Sequence, residues 1–185
     1  MSRVGDCTAL LFNGDGMKTA GGRPIRLRSV SVEDWCLFRE IRLQALAEAP
    51  YAFSTRLSEW QGAGDTEERW RNRLQNVPLN VIAYYDGAAA GMVSAYEWDT
   101  NVETVELISM WVAPFARGRG IGDALIDHVR EWAARRHAAR VVLAVRDANE
   151  TAIALYERNG FQDEGAVVAD SPAAPAERRM VLTIP

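Results

Sequence analysis

Two cysteines, Cys7 and Cys36, and two histidines are all that 185 residues provide. That is too few thiols for a disulfide framework, and they stand too far from the histidines for a metal motif, so no metal is expected. Long apolar runs are missing as well. Ala9-Leu10-Leu11-Phe12 is too short for a secretory leader, and no stretch approaches the ~18 apolar residues of a membrane span. A reducing, cytoplasmic setting without a membrane partner is the default expectation. A basic excess is also absent. The formal net charge is −4 and nothing before residue 117 is strongly basic, which argues against nucleic acid as a partner. No internal repeat occurs, and the one low-complexity patch, Ser171-Pro172-Ala173-Ala174-Pro175-Ala176, suits a hairpin loop better than a domain linker.

What is present is globular: 48% hydrophobic and 25% charged residues, in a chain the size of one domain with room for a core. Residues 1–23, with Gly5, Gly14, Gly16, Gly21 and Gly22 and no steady period, read as a flexible leader. The domain is expected over 24–185, opening on the strand Pro24-Ile25-Arg26-Leu27-Arg28. Ser31-Val32-Glu33-Asp34 supplies helix-start chemistry for the stripe Trp35, Phe38, Ile41, Leu43, Ala45 and Leu46, which runs to Pro50. Residues 51–64 read as irregular, and a second short helix opens at Thr66. Val81–Tyr85 and Ala89–Glu97 flank the turn pair Asp86-Gly87, a hairpin signal. A strand over 104–112, a helix over 120–137, a strand over 140–145, a helix over 150–158 and two closing strands (161–169 and 179–184) complete the pattern. It describes one mixed α/β or α+β domain.

The apolar strand Leu107-Ile108-Ser109-Met110-Trp111-Val112 ends at Ala113-Pro114, and Arg117-Gly118-Arg119-Gly120-Ile121-Gly122 follows. A helical stripe begins at once with Ile121, Ala124, Leu125, His128, Val129, Trp132 and Ala133. Glycines at a helix start let backbone approach a ligand, and the unpartnered first-turn amides with the positive end of the dipole form an anion site. Alone, such a run is equally an ordinary strand-to-helix turn. The P-loop ending Gly-Lys-Ser/Thr is missing. The dinucleotide fingerprint fits poorly, because the spacing is G-x-G-x-G and Pro114 intervenes. Asp147 after the next strand keeps a nucleotide-dependent oxidoreductase as a distant alternative. Arginines gather from residue 117 onward, including Arg130, Arg135, Arg136, Arg140 and Arg146, as solvated faces or as partners for an anion.

A second element is Asn149-Glu150-Thr151-Ala152-Ile153-Ala154-Leu155-Tyr156-Glu157-Arg158-Asn159-Gly160-Phe161. Asn149 suits a helix N-cap and Gly160 a left-handed terminator with Phe161 packing back. Tyr156, two turns after Asn149, falls on nearly the same face. Together the two stretches resemble the GNAT superfamily of N-acetyltransferases. The central [Q/R]-x-x-G-x-[G/A] motif is matched at Arg117, Gly120 and Gly122. The N-x(6)-Y-x(3)-G-F element is matched at Asn149, Tyr156, Gly160 and Phe161, and the resemblance covers about residues 24–185.

The resemblance implies a GNAT-like fold, a central mixed sheet splayed between two parallel strands at 104–112 and 140–145. It implies acetyl-CoA as co-substrate, with Met110, Trp111 and Val112 offering backbone groups to pantetheine. Arg117, Gly118, Arg119, Gly120, Ile121, Gly122 and Asp123, with Asn149, would complete the cofactor site. Asp123 departs from an anion site, so its side chain should turn away. Direct transfer from thioester to amine needs a base and an acid. Glu106 is the first candidate base, ahead of Glu103 and Glu97, and Tyr156 the candidate acid.

The acceptor is a primary amine, taken first as a small molecule. A protein N-terminus or lysine is the alternative, then a non-catalytic acyl-CoA-binding regulatory module, with a homodimer left open. Tyr51, Phe53, Trp60, Trp70 and Trp98 are candidates for a pocket taking an apolar or cationic amine, or for core. Glu48, Glu59, Asp65, Glu67 and Glu68 are acids that would attract a cation or solvate loops.

Overall fold

The computed structural model describes residues 16–20, 23–98, 101–167 and 175–185. Its elements are β1 Gly16–Ala20, β2 Arg23–Ser29, α1 Trp35–Glu48, α2 Glu67–Asn76, β3 Leu79–Tyr85, β4 Ala88–Trp98, β5 Asn101–Val112, α3 Ile121–Arg135, β6 Arg140–Arg146, α4 Glu150–Arg158, β7 Gln162–Ala166 and β8 Glu177–Thr183. The strands form one sheet in the order β1-β2-β3-β4-β5-β6-β8-β7. Only β5 and β6 run parallel; the other neighbours are antiparallel. The mixed sheet is the expected GNAT-like architecture.

Helices cover both faces. Ile121, Leu125, Ile126 and Val129 of α3 and Tyr156 of α4 share one core with Val105 and Leu107 of β5. Phe38, Ile41 and Leu46 of α1 and Trp70 and Leu74 of α2 share the other with Ile82, Met92 and Trp111. Val105 and Leu107 face one core and Trp111 the other, because a register shift in β5 between 108 and 111 reverses the alternation. β3, covered on both faces, is buried along its whole length, which is why its sequence is apolar without alternation.

Local chemistry sets the ends of these elements. Ser31 and Asp34 form a reciprocal capping box before α1, and Thr66 caps α2 by accepting from Arg69 N. Asp86 and Gly87 both have positive φ, 51° and 83°, the geometry of a type I′ hairpin turn. Residues 50–64 form three short 3₁₀ turns rather than a plain loop. Gly16–Ala20 pairs with β2, so the sheet extends into the segment read as a leader. Residues 1–15 and most of the Pro/Ala-rich patch lie outside the described residues. Cys36 lies in the first turn of α1, and Cys7 lies outside the described residues.

Candidate active site

β5 and β6 pair only at Thr104↔Arg140, Val105↔Val141 and Glu106↔Val142. Beyond that point β5 stays with β4 as far as Val112, and β6 stays with β8 as far as Arg146. Two neighbouring parallel strands thus part while each remains a strand. The gap between them opens into a cleft of about 590 Å³, lined by Leu107–Val112 on one side and by Ala144 and Val145 on the other.

A β-bulge shapes the β5 wall. Met92 pairs with Trp111 and Ser94 with Ile108, so Ser109 and Met110 both stand opposite Val93. Ser109 has φ 57°, a left-handed conformation that costs a non-glycine residue about 1–2 kcal/mol. The bulge turns the backbone of Ser109 and Met110 out of the β4 ladder and into the cleft.

The cleft continues to the start of α3, where Gly118 and Gly120 have φ 70° and 74°. Only glycine takes these turns without strain. A Cβ on Gly118 would meet nothing within 4 Å, so this turn is open on that side. The helix ladder begins with Ala124 N donating to Gly120 O at 3.0 Å, leaving the amides of 121–123 without helical partners. Free amides, a helix dipole and an open turn suit a phosphate-bearing ligand.

Gly122 lines the cleft and also serves packing. A Cβ there would stand 2.8 Å from Leu155 Cδ2, which shows how closely α3 and α4 approach. Gly122→Val is expected to destabilise the protein by about 1–3 kcal/mol through overpacking. The measurement is a denaturant midpoint, and an unchanged midpoint would mean that Leu155 repacks freely.

Several residues read as cofactor contacts have other partners. Arg117 lines the cleft, but its Nη2 donates to Glu48 Oε2 at 2.7 Å and its Nε to the Val112 carbonyl at 3.1 Å. The Val112 carbonyl thus already accepts from one side chain, with room for a second donor. Trp111 is buried on the α1 side, where its Nε1 donates to the same Glu48 oxygen at 2.8 Å. Glu48 was legible only as a loop acid; it ties the end of α1 to the glycine turn. Arg119 is exposed and is not among the cleft-lining residues, whereas Met110, Gly118, Gly120, Ile121, Gly122, Asp123 and Asn149 are. Asp123 is gripped by Arg158, whose Nε and Nη2 each donate at 2.9 Å, and by Asn159 Nδ2 at 2.8 Å. The Arg158 hydrogen bonds hold its carboxyl below the usual carboxylate range.

Tyr156 and Asn149 both line the cleft. The Asn149 side chain caps α4 by accepting from Ala152 N at 3.3 Å. Tyr156 packs edge-on against Phe161, ring centroids 5.6 Å apart, and burial pushes its phenol well above the usual range. Glu106 sits elsewhere. It is the last β5 residue paired with β6, half-buried and outside the cleft lining. Its Oε2 accepts from Tyr96 Oη at 2.6 Å and from Trp98 Nε1 at 2.9 Å. Glu97 pairs with Arg136, and Glu103 is exposed.

The aromatic candidates divide. Trp60 and Trp70 are core, 4.3 Å apart between ring centroids, while Tyr51 and Phe53 line the cleft and Trp98 holds Glu106. Three of the five acids expected to draw a cation are already neutralised: Glu48 by Arg117, Asp65 by Arg39 and Glu67 by Arg71. Among the described residues no cluster of His, Cys, Asp or Glu could hold a metal ion, and no helix is long and apolar enough to cross a membrane.

Comparison with known proteins agrees with this geometry. Residues 42–161 match the model of the acetyltransferase (GNAT) family. Streptothricin acetyltransferase of Streptomyces lavendulae is 33% identical over 128 residues, 67% of this chain and 66% of that protein. An uncharacterised N-acetyltransferase of Methanocaldococcus jannaschii is 37% identical over 90 residues, 46% of this chain and 40% of that protein. The matches therefore span less than two thirds of both relatives. A Salmonella typhimurium protein, described as an acetyltransferase and solved with its cofactor acetyl-CoA, superposes with a TM-score of 0.68 at 21% identity. That likeness covers 87% of this chain and 94% of the other, and it concerns the fold.

Proposed function

This chain belongs to the acetyltransferase (GNAT) family, and we propose that it moves an acetyl group from acetyl-CoA to a primary amine of a small molecule by direct attack. The observation that carries the reading is the parting of β5 and β6 into a cleft that ends on the free amides of α3. A long ligand with a polar arm and a pyrophosphate fits that run of backbone. The name of the streptothricin-modifying relative supports a small acceptor.

In this reading the amides of 121–123 hold the pyrophosphate, and the bulged backbone at Ser109 and Met110 holds the acyl-bearing arm. The same bulge offers amides to the thioester carbonyl as negative charge gathers on its oxygen. Glu106 removes a proton from the ammonium or amine, directly or through water. The amine nitrogen then bonds to the carbonyl carbon, the carbon–sulfur bond breaks, the thiolate leaves with the electron pair, and the surplus proton on the new amide nitrogen passes to water. Tyr156 supplies the proton that makes it free CoA thiol. Burial keeps the Tyr156 phenol protonated, as an ordinary phenol already is at neutral pH, and makes it a weaker acid, which limits the help it gives.

Tyr156→Phe is expected to slow turnover about tenfold, below the usual ~10²–10⁴ for general acid–base groups, since a thiolate is already a competent leaving group. Calorimetry with acetyl-CoA should show little change in binding. Turnover equal to the parent protein would remove Tyr156 from the mechanism. The test of the function itself is a screen of amines and peptides with acetyl-CoA, following free thiol. Release with a small amine supports the reading, and release only with peptides would shift it to a protein acceptor.

A further inference from the structure

Among the described residues, two arginines, one buried and one half-buried, have no carboxylate against them. Arg42 of α1 is 7% exposed, and its guanidinium lies over the Phe53 ring, 4.4 Å from the centroid. Arg73 of α2 lies over the Phe38 ring at 5.8 Å, and its Nη2 donates to Ser109 Oγ at 3.3 Å. The Nη1 atoms of both are buried with no hydrogen-bond partner. Burial lowers both guanidinium pKa values to about 10, and Arg73 adds its own charge to the effect on Arg42. Among the described residues, the Tyr96 phenol partly offsets the effect of burial on Arg73.

An unpaired buried charge costs several kcal/mol, and a protein seldom keeps two together without an anion to receive them. The places they touch say where that anion sits. Ser109 is the bulge residue and Phe53 a cleft wall, so each arginine stands one contact behind the cleft. Tyr96 bonds Glu106, which puts the proposed base on the same side of the sheet as the arginines. With Glu48, Asp65 and Glu67 already paired, the acceptor side offers positive charge rather than negative.

We infer that the acceptor amine carries an anionic group, a carboxylate or phosphonate of amino-acid size, which Arg42 and Arg73 bind while the amine faces Glu106. The inference rests on the acetyl-transfer reading and names the substrate class of that same site. It replaces the apolar or cationic amine suggested by the aromatics and loop acids alone. Two guanidiniums make charge-assisted hydrogen bonds to one anion, and the rings beneath them hold their planes.

The experiment compares matched amines: glycine with glycinamide, L-leucine with L-leucinamide, and 2-aminoethylphosphonate with ethanolamine. Free thiol is followed with acetyl-CoA saturating. The anionic member of each pair is expected to have a kcat/KM at least tenfold higher. Arg73→Met and Arg42→Met should each raise KM for the anionic member about tenfold to a hundredfold. The KM for acetyl-CoA and turnover of the neutral member should change far less than that, and Arg73→Lys should keep part of the preference. A merely structural arginine would not move the ratio within a pair.

Equal or better use of the neutral members, or a ratio that survives both Met variants, would overturn the inference while leaving acetyl transfer intact. No release from any amine would instead count against acetyl transfer. The anion site is then decided by binding: 2-aminoethylphosphonate should raise the Tm of the parent protein but not of Arg73→Met, and no rise in the parent would sink it.

Discussion

Glu106→Gln is expected to lower kcat/KM for the amine by about 10²–10⁴, the range for loss of a general base, with acetyl-CoA binding unaltered. The substitution is close in shape. Its amide oxygen can still accept from Tyr96 and Trp98, the two donors that hold Oε2 in the present structure. What is lost is the negative charge and the ability to take a proton. An amine at neutral pH is mostly protonated, so the variant must wait for the small free-base fraction. Its rate should therefore climb with pH towards the amine's own pKa, more steeply than that of the parent protein, and the deficit should narrow. A pH profile of kcat/KM for both proteins reads this directly. A deficit that stays constant across the profile, or no deficit at neutral pH, would place the base elsewhere.

The second large effect is on the co-substrate. Gly120→Trp is expected to weaken acetyl-CoA binding by more than about a hundredfold, since each charge-assisted hydrogen bond to a phosphate contributes roughly 1.5–3 kcal/mol. Two causes act together. The φ of 74° at Gly120 is costly for any residue with a Cβ, so the turn moves and its amides lose their common aim. The indole then fills space at the head of α3 that backbone alone occupies. Calorimetry with acetyl-CoA reads the loss, with a thermal melt to show that the variant is folded. A folded variant that binds as tightly as the parent would mean that the pyrophosphate does not sit at this turn.

Features that depend on backbone geometry and local spacing were the legible ones. The stripe from Ile121 to Ala133 predicts the observed α3, because burial of one helix face imposes a 3.6-residue period. Asn149, Thr66 and the pair Asp86-Gly87 act at short range, and all three do what their side chains or missing Cβ allow. The apolar strands at 104–112 and 140–145 were also visible. Gly122 shows the limit: its spacing marks a glycine, but that it faces Leu155 of α4 is a fact about two helices meeting.

What escaped was pairing between residues far apart in the chain. Nothing local links Glu48 to Arg117, 69 positions away, yet the contact fixes how Arg117 stands at the cleft. Glu106 was placed by strand position, but its pairing opposite Tyr96 decides which side of the sheet it occupies. The aromatics near residues 51–70 looked alike in composition. Packing then buried Trp60 and Trp70 and brought Tyr51 and Phe53 to the cleft.

The sequence by itself determined the α/β order, the two motifs and, through them, the family and the anion-ready start of α3. These are local matters of side-chain period, helix caps and glycine φ, which a chain encodes within a few neighbouring residues. The tertiary structure alone decided where β5 and β6 part, which arginines meet an acid and which do not. Among the described residues, Arg117, Arg136 and Arg158 find carboxylates, whereas Arg42 and Arg73 stand beside aromatic rings without one. Charge compensation depends on distance through space, and distance through space is set only when the helices close on the sheet.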